Sequence, residues 1–481
     1  MTSGQPLMLF NSLGRVLEKF VPASAEVGLY TCGVTVYSYP HLGNMRAYVF
    51  ADTLRRALRW KGYPVRHITN ITDVGHAVAD AEIGEDKLEV AAARERRTVE
   101  EIAAYYTDVF FADVRALNIL PAHEYPRATA YVSQMIEFAA ELEAKGHAYR
   151  LPSGLYFDTA TSPGYGALAL LDVDGQQEGA RVEPLAGRRR KSDFALWRTE
   201  AEGQIRAMRW DSPWGWGAPG WHLECSVMSM ELLGRHFDIH TGGVDHREIH
   251  HVNEIAQSEA YLSDGQPWVR YWMHNEFVQL GGAKMAKSAG GAPRLADLAA
   301  AGLHPLAYRM FLLGGHYRAQ VSFASEAVEA ASASLRRLVA KVPSLPAVET
   351  YAEAVALAGG DEGALRLLSE VDAAISLDLG TPQLLAVLQE AVRYEGPGRI
   401  AVLAACESLL GLSLGTLAPA DLELRREAGA EERAVIERLV AERSEARAAR
   451  DWPRADRIRA ELDELGVQVT DTADGPVWVL R

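Results

Sequence analysis

The feature that most constrains this chain is a strand, a loop, a helix and a second strand in succession near its start. Residues 27–32 form a short apolar run that ends at Gly33, and residues 46–60 carry apolar side chains at helical spacing. Gly62-Tyr63-Pro64 ends that pattern before a second apolar run at residues 65–68. This order opens a βαβ unit, so it predicts a parallel sheet that binds ligands at the carboxyl ends of its strands.

The remainder of the chain divides by composition, and its 481 residues exceed the usual size of one domain. Residues 82–145 show helical patterns, residues 150–220 are rich in Gly, Pro and Trp without regular helix, and the βαβ pattern resumes from Trp221 to about residue 290. Residues 320–420 have the composition of a helical bundle. The sequence therefore predicts an α/β fold, with a Rossmann-like parallel-sheet domain split by an insertion and followed by helical domains.

Charge and cysteine content restrict the functional classes. The chain has 49 basic and 64 acidic residues and a net charge of −15, which argues against indiscriminate nucleic-acid or membrane binding. A nucleic-acid partner would need local basic patches. Three cysteines cannot build a disulfide framework, so we expect a reducing cytoplasm. We expect no signal peptide and no membrane-spanning helix, because no basic and apolar leader and no long apolar run is present.

Two short motifs suit phosphate chemistry. His41-Leu42-Gly43-Asn44 opens the first helix, where Gly43 would let a nucleotide approach the backbone and His41 could donate to a phosphate. The loop GGAKMAKS at 281–288 carries Lys284 and Lys287, whose ammonium groups could stabilise charge on a leaving pyrophosphate. Taken alone, the first motif could be a turn that caps a helix, and the second could be a solvated surface loop with lysines. The two together favour ATP chemistry.

A third set of residues suits a metal. The candidate ligands are Cys32, Cys225 and two residues of the segment IHHVNEIAQ. In that segment, His250 and Glu254 are four residues apart and lie on one face of a helix. Two thiolates, an imidazole and a carboxylate suit zinc. Periodicity does not identify the histidine that would bind the metal, because other histidines lie nearby. The alternative is that the cysteines are small buried apolar residues and the histidines are core residues, with no metal bound. These further histidines are His222, His240, His246 and His251.

The motifs resemble those of the class I aminoacyl-tRNA synthetases, and closely those of the cysteinyl-tRNA synthetase family. GWHLECS and HHVNE are highly specific, and the likeness covers nearly the whole chain. The matching segments are LYTCGVTVY with HLGN, NITD (70–73), FALWR (194–198), SPWGWGAPGWHLECS (212–226), HFDIHTGGVDHREIHHVNEIAQSEA (236–260), YWMHNEFV (271–278), KMAKS, YRMFLLGGHYRAQVSF (308–323) and the C-terminal tail.

The resemblance implies ATP-dependent activation of L-cysteine to cysteinyl-adenylate and its transfer to tRNA(Cys). It implies one Zn²⁺ per chain, which would take the substrate sulfur as a thiolate and so reject serine without an editing domain. Mg²⁺ would accompany ATP. The implied zinc ligands are Cys32, Cys225, His250 and Glu254.

The resemblance also implies roles for individual residues. The catalytic set is His41, Asn44, Lys284 and Lys287; the ATP-binding set is His41, Gly43, Asn44, Gly242, Gly243 and Lys287; the amino-acid pocket is Cys32, Thr72, Trp221 and Asp245. The chain departs from the family pattern in three places, one of which is the segment VGHAV after NITD, where many members of the family carry further acidic residues. Asn44 stands where a histidine is common, and Ala286 stands where a serine is usual. Asparagine cannot carry charge, so we expect a modest cost in rate.

A basic segment near the end suits tRNA. Residues 438–459 contain seven arginines against four acidic residues, and the resemblance implies tRNA contacts from Arg447, Arg450 and Trp452. A helix with ion pairs between residues four apart explains the same composition.

The predicted divisions are 1–115 and 216–290 for the halves of the catalytic domain, 116–215 for a connective insertion, 291–345 for a stem-contact region, 346–420 for a helical bundle and 421–481 for an anticodon-binding region. We expect a cytoplasmic monomer.

Two other functions agree with part of these motifs. A ligase that joins cysteine to a glucosamine–inositol acceptor resembles this family in its zinc and adenylation sites, but it has little use for the basic C-terminal helices. A non-catalytic zinc-stabilised RNA-binding protein would not need His41 or the lysine loop.

Overall fold

The computed structural model describes residues 4–74, 86–170, 187–201, 203, 206–281, 283–285, 292–424, 428–472 and 475–480; at 283, 284 and 472 it describes the backbone alone. The chain begins with a two-stranded hairpin, followed by the predicted strand, helix and strand. These elements are β1 (Met8–Asn11), β2 (Val16–Lys19), β3 (Val27–Thr35), α1 (Leu42–Trp60) and β4 (Val65–Thr72).

Three helices and an antiparallel sheet come next. These elements are α2 (Lys87–Glu95), α3 (Val99–Ala116), α4 (Val132–Ala144), β5 (Ala148–Leu151), β6 (Gly154–Phe157), β7 (Phe194–Thr199) and β8 (Gly217–Pro219). The four strands pair in sequence order, and the described part of residues 150–220 contains no α-helix. The second half of the parallel-sheet unit follows, with α5 (Trp221–Leu233), β9 (Phe237–Gly243), α6 (Val244–Glu248), α7 (His250–Leu262), β10 (Val269–Asn275), β11 (Val278–Leu280) and β12 (Ala283–Lys284).

The central sheet joins the two halves. It has four strands in the order β10-β9-β3-β4, and all neighbours are parallel. Chain progression reverses direction between β3 and β9, so the carboxyl ends of these two strands form the topological switch point, where open α/β sheets bind ligands. The predicted fold class is confirmed.

The helix α1 begins four residues earlier than its apolar periodicity predicted. The reason is local, because His41 caps the helix and starts it at Leu42. Almost every residue of α1 is buried, and Arg46, Asp52 and Arg56 are among them. Such a helix lies inside the molecule, where its charged side chains need partners.

The rest of the chain is mainly helical. Its elements are α8 (Leu295–Ala300), α9 (Pro305–Leu313), β13 (Val321–Phe323), α10 (Ser325–Val339), α11 (Tyr351–Leu357), α12 (Glu362–Ser376), α13 (Thr381–Arg393), α14 (Arg399–Leu410), α15 (Ala430–Ala448), α16 (Trp452–Glu464), β14 (Val467–Thr472) and β15 (Gly475–Leu480). The bundle around α12, α13 and α14 shares one apolar core with α1, whereas α15, α16 and the β14–β15 hairpin have a core of their own. Within the described ranges, no helix is both long and apolar enough to cross a membrane.

Candidate functional site

The turn between β3 and α1 is held by a reciprocal pair of hydrogen bonds. The backbone N–H of Asn44 donates to His41 Nδ1 at 3.3 Å, and the backbone N–H of His41 donates to Asn44 Oδ1 at 3.1 Å. Both side chains therefore serve as a capping box in this structure. The same turn lies at the N-terminus of α1, where the positive end of the helix dipole favours an anion such as a phosphate.

At two positions near the switch point, the absence of a side chain on glycine lets a histidine ring lie close to the backbone. A Cβ on Gly43 would lie 3.0 Å from the His41 ring, and a Cβ on Gly242 would lie 2.7 Å from the His251 ring. Gly242 and Gly243 end β9, next to the carboxyl end of β10. The structure thus brings the predicted ATP-binding residues His41, Gly43, Asn44, Gly242 and Gly243 to the carboxyl edge of one sheet.

The four predicted metal ligands converge in the interior. Cys32 comes from β3, Cys225 from α5, and His250 and Glu254 from successive turns of α7. Their ligand atoms lie within 4.8 Å of one another, and all four residues are buried. His250 Nε2 lies 3.3 Å from Cys225 Sγ and 2.9 Å from Glu254 Oε1.

A second set of four overlaps with the first. Cys32, His240, His251 and Glu254 also bring one ligand atom each within 4.8 Å. Cys32 Sγ lies 3.2 Å from His251 Nε2, and His240 Nε2 lies 3.0 Å from Glu254 Oε2. The first set contains both sulfurs, which zinc and other soft metals prefer.

The outer nitrogens of the two α7 histidines are held by neighbours. His250 Nδ1 lies 3.0 Å from His222 Nδ1. His251 Nδ1 lies 2.7 Å from His274 Nε2, and His274 Nδ1 lies 2.8 Å from Ser12 Oγ. Such contacts fix the orientation of an imidazole and leave its other nitrogen for a metal.

Burial and neighbouring charges shift the pKa values of three of the four predicted ligands. Burial raises the pKa of Cys32, but its hydrogen bond with Cys225 and nearby histidine charges outweigh this and hold it well below its usual value. Burial likewise opposes ionisation of His250 and Glu254, yet their mutual attraction raises the pKa of His250 to about 10 and lowers that of Glu254 to about 2. The Cys32 thiolate and the Glu254 carboxylate thus share a buried space with the positive charge of His250, and a metal ion bound there would replace the His250 proton.

These residues fit a zinc ion. Glu254 Oε1 is buried without a hydrogen bond to any described residue, although His250 Nε2 is only 2.9 Å away. This contact has the distance but not the geometry of a hydrogen bond, as expected for two ligand atoms that point to a common centre. Two sulfurs, one imidazole and one carboxylate form a common zinc donor set.

The predicted amino-acid pocket lies around this cluster. The Trp221 ring stacks on His250 with centroids 4.2 Å apart. Thr72 ends β4, is buried and accepts a hydrogen bond from Asn70 Nδ2 at 3.0 Å. Asp245 is exposed at the start of α6, beyond the carboxyl end of β9. The structure therefore places Trp221 against the metal ligands and Asp245 at the mouth of the switch point.

Sequence reasoning missed two buried polar residues here. Glu224 is fully buried next to Cys225; burial, with the charge of Asp73 a second cause, raises its pKa well above the usual value. Asn70 Oδ1 accepts from the backbone N–H of Gly33 at 2.8 Å and lies 3.8 Å from Cys225 Sγ. Their position in the sequence gave a signal, since both lie inside segments that match the family, GWHLECS and NITD.

The structure describes the first part of the lysine loop and the segment that follows it. The backbone of Lys284 pairs with Gln279 in the β11–β12 hairpin, while the Lys284 side chain and all of Lys287 and Ala286 lie outside the described residues. The Met285 Cβ lies 3.6 Å from the Cβ position of Gly43, and the backbone N–H of Leu42 donates to the carbonyl of Pro293 at 2.8 Å. Met285 in the loop and Pro293 after it therefore both contact the start of α1.

The predicted tRNA residues lie together in the C-terminal region. Trp452 opens α16 and is 54% exposed, and Arg450 occupies the turn before it with φ of 59°. Arg447 lies in the last turn of α15, with its guanidinium 3.4 Å from the Asp471 carboxylate. Arg443, which sequence reasoning did not single out, binds both Asp471 oxygens at 2.9 and 3.1 Å. Part of the arginine run thus holds the hairpin on the helices through long-range pairs, which the alternative of ion pairs within one helix did not predict.

Two family models match the chain. Residues 19–333 match the class I (C) tRNA synthetase catalytic domain, and residues 431–478 match the cysteinyl-tRNA ligase anticodon binding domain. Among curated proteins, the cysteine–tRNA ligase of Novosphingobium aromaticivorans is 46% identical over 97% of this chain and 95% of that protein. The cysteine–tRNA ligase of Zymomonas mobilis is 42% identical over 97% of this chain and 96% of that protein.

Solved structures agree on the fold. The methionyl-tRNA synthetase of Mycobacterium tuberculosis, bound by methionyl-adenylate, superposes with a TM-score of 0.53 at 17% identity and covers 81% of this chain and 89% of that chain. At this identity the likeness concerns the fold alone. The sequence relatives and family models decide the family, and they confirm the resemblance: the chain belongs to the cysteine–tRNA ligases, which are enzymes of the class I aminoacyl-tRNA synthetase family.

Proposed function

We propose that this chain activates L-cysteine with ATP at the carboxyl ends of β3 and β9 and transfers the cysteinyl group to the terminal ribose of tRNA(Cys). Cysteine activation and tRNA charging follow from the family, and the geometry supports the roles that we propose for individual residues. The single observation that carries the proposal is the convergence of Cys32, Cys225, His250 and Glu254 beside the carboxyl ends of the central strands.

Cys32, Cys225, His250 and Glu254 hold one Zn²⁺ in this proposal. When bound, the ion supplies a soft Lewis acid that prefers the sulfur of cysteine to the oxygen of serine. Trp221 covers the bound side chain, because it already stacks on His250. Thr72 and Asp245 bind the substrate ammonium group, with Asp245 supplying the opposite charge.

The nucleotide lies on the residues at the switch point. His41 and Asn44 face the phosphates of ATP with its Mg²⁺, and Gly242 and Gly243 lie against the adenosine. The α1 dipole and the lysines of the loop, Lys284 and Lys287, stabilise charge as pyrophosphate leaves. The substrate carboxylate attacks the α-phosphate directly, so no side chain acts as a nucleophile.

Residues 431–478 contact the anticodon region of tRNA(Cys) in this proposal, through Arg447, Arg450 and Trp452. Overall charge does not favour tRNA, so the local arginines must supply the attraction. The proposed divisions of the chain are those predicted above. The monomeric state and the cytoplasmic location stay predictions.

The proposal predicts cysteine-specific charging of tRNA. Zinc-loaded protein, ATP and labelled cysteine should give acid-precipitable label that requires tRNA, whereas serine should give less than about a hundredth as much, because serine offers no thiolate. Protein dialysed against a chelator is the control and should lose this activity until zinc is restored. Adenylate formation without charging of any tRNA would contradict the tRNA assignment, and equal use of serine would contradict the metal assignment.

The anticodon assignment predicts a selective effect of Trp452. We expect Trp452→Ala to raise the KM for tRNA about tenfold, since stacking on a base contributes about 1–3 kcal/mol, and to leave cysteine-dependent ATP–pyrophosphate exchange unchanged. Val477→Ala is the matched control, because Val477 is 55% exposed in the same C-terminal region. A KM for tRNA equal to that of the control variant would remove Trp452 from the tRNA surface.

A further inference from the structure

A buried arginine on α1 binds the backbone of two distant segments. Arg46 is 3% exposed and lies little more than one helical turn after the cap residue His41. Its guanidinium donates to the carbonyl of Phe277 at 2.6 Å. It also donates to three carbonyls in the turn between α9 and β13, those of His316 at 3.1 Å, Tyr317 at 3.4 Å and Ala319. Among the described residues, the guanidinium hydrogen bonds therefore all end on backbone oxygens.

These two segments lead into the strands that position the lysine loop. Phe277 immediately precedes β11, and Ala319 lies two residues before β13. β11 pairs in parallel with β13 and antiparallel with β12, the strand that contains Lys284. The two segments are also bonded to each other, since the N–H of Val321 donates to the carbonyl of Phe277 at 3.2 Å. Arg46 thus fixes β11 and β13 to α1 directly, and β12 through its pairing with β11.

The chemistry of Arg46 favours a role in fixing geometry over one in filling space. Burial lowers the pKa of Arg46 to about 10, which leaves the guanidinium protonated at neutral pH. Burying a cation costs free energy unless its donors are satisfied, and an apolar side chain would fill the same space without that cost. The planar guanidinium can bind two segments at once in a fixed arrangement, which the single ammonium of a lysine does not reproduce.

We propose that Arg46 is a positioning residue for adenylate formation, which holds the hairpin that carries Lys284 against the phosphate-binding start of α1. The inference rests on the proposed function, in which His41 and Asn44 face the phosphates of ATP and Lys284 stabilises charge on pyrophosphate. These groups come from α1 and β12, which are separated in the chain by the whole insertion. A misplacement of about 1 Å can cost about 100-fold in rate, so their relative position has to be held. Arg46 acts through the backbone and does not touch the substrates.

Arg46→Lys tests this role in the full-length protein, because it keeps the charge and removes the planar guanidinium. We expect kcat for cysteine-dependent ATP–pyrophosphate exchange to fall about 10- to 100-fold. The KM for cysteine and the zinc content should stay at their wild-type values, since the proposed zinc ligands lie on β3, α5 and α7.

Arg56→Lys is the matched control, assayed at a temperature at which circular dichroism shows both variants folded. Arg56 is also buried on α1, but it donates to the carbonyls of Ser408 at 3.0 Å and Asn118 at 2.9 Å, away from the lysine hairpin. Its replacement should lower the Tm and leave kcat at the wild-type value. An equal loss of kcat in the two variants would overturn the proposal.

A double-mutant cycle separates positioning of the lysine from a general weakening of the fold. If Arg46 acts through Lys284, adding Arg46→Lys to Lys284→Ala should lower kcat by less than about twofold further, because residues that act as a unit have non-additive effects. A further loss as large as in the wild-type background, or a raised KM for cysteine with loss of zinc, would assign Arg46 a general structural role and overturn the proposal. A wild-type protein without cysteine-dependent exchange would instead overturn the proposed function itself.

Discussion

Replacement of Cys225 by serine is expected to abolish stoichiometric zinc binding and to lower cysteine-dependent ATP–pyrophosphate exchange by more than about a hundredfold. Loss of an outer-shell partner of a metal ligand alone costs about 10- to 100-fold, and loss of a ligand removes a bond to the metal itself. Serine at this position also buries a hydroxyl that does not ionise near neutral pH. Zinc content per chain after dialysis and the exchange rate are the two measurements.

Cys406 offers a matched control for this prediction. It is fully buried in α14, as Cys225 is almost fully buried in α5, but it lies in the apolar core of the bundle. Cys406→Ser should therefore destabilise the fold by the usual cost of a buried hydroxyl, roughly 1–3 kcal/mol, and keep one zinc per chain. A Cys225→Ser protein that retains zinc and exchange activity would show that the ligand set is wrong.

The fold was predictable from the sequence where local patterns suffice. The strand, helix and strand at residues 27–68 carry their own periodicity and turn signals, and all three elements form. The order of the central sheet depends instead on the pairing of β3 with β9, which are separated by the entire insertion. Composition and periodicity indicate an insertion and a βαβ pattern that resumes near Trp221, but they do not give the order in which distant strands pair.

The candidate metal site was also predictable from the sequence only where local spacing sufficed. The spacing of His250 and Glu254 predicted that they share a face of α7, and they do. Sequence could not choose between His250 and His251, because adjacent residues near a helix start can both reach one cluster. The structure explains this ambiguity physically, since each histidine belongs to one of two overlapping sets of four. The family resemblance, not periodicity, selected His250, and that selection stays a proposal.

Long-range ion pairs were beyond sequence reasoning. Asp52 lies on α1, and Arg309 lies on α9, which is 257 residues further along the chain. No local pattern marks them as partners, and a charged residue on a helix is usually solvated. Their burial follows from the position of α1 between the sheet and the bundle. This packing makes Asp52 and Arg309 a buried ion pair between distant parts of the chain.

Removal of the Asp52 carboxylate is expected to destabilise the protein by about 3–5 kcal/mol, because it leaves two buried cations without a counter-charge. Asp52 pairs with Arg56 at 2.8 Å and with Arg309, whose side chains are 9% and 0% exposed. Arg309 also donates to the carbonyls of Leu410 and Leu117, so the cluster joins α1 to the bundle. Asp52→Ala should lower the Tm by roughly 10 °C, measured by circular dichroism.

Glu390→Ala is the matched control for Asp52→Ala, because it removes a carboxylate from an exposed pair with Arg366 at 2.6 Å. That loss should be below about 1 kcal/mol. Burial raises the pKa of Asp52, but Arg56 and Arg309 outweigh it and lower the pKa to about 2, against about 3.9 for an unfolded chain. The stabilisation is therefore complete above about pH 4 and is lost as the pH falls towards 2. If both variants lowered the Tm by the same amount at pH 7, the buried Asp52 carboxylate would contribute no more to stability than one partner of a surface pair.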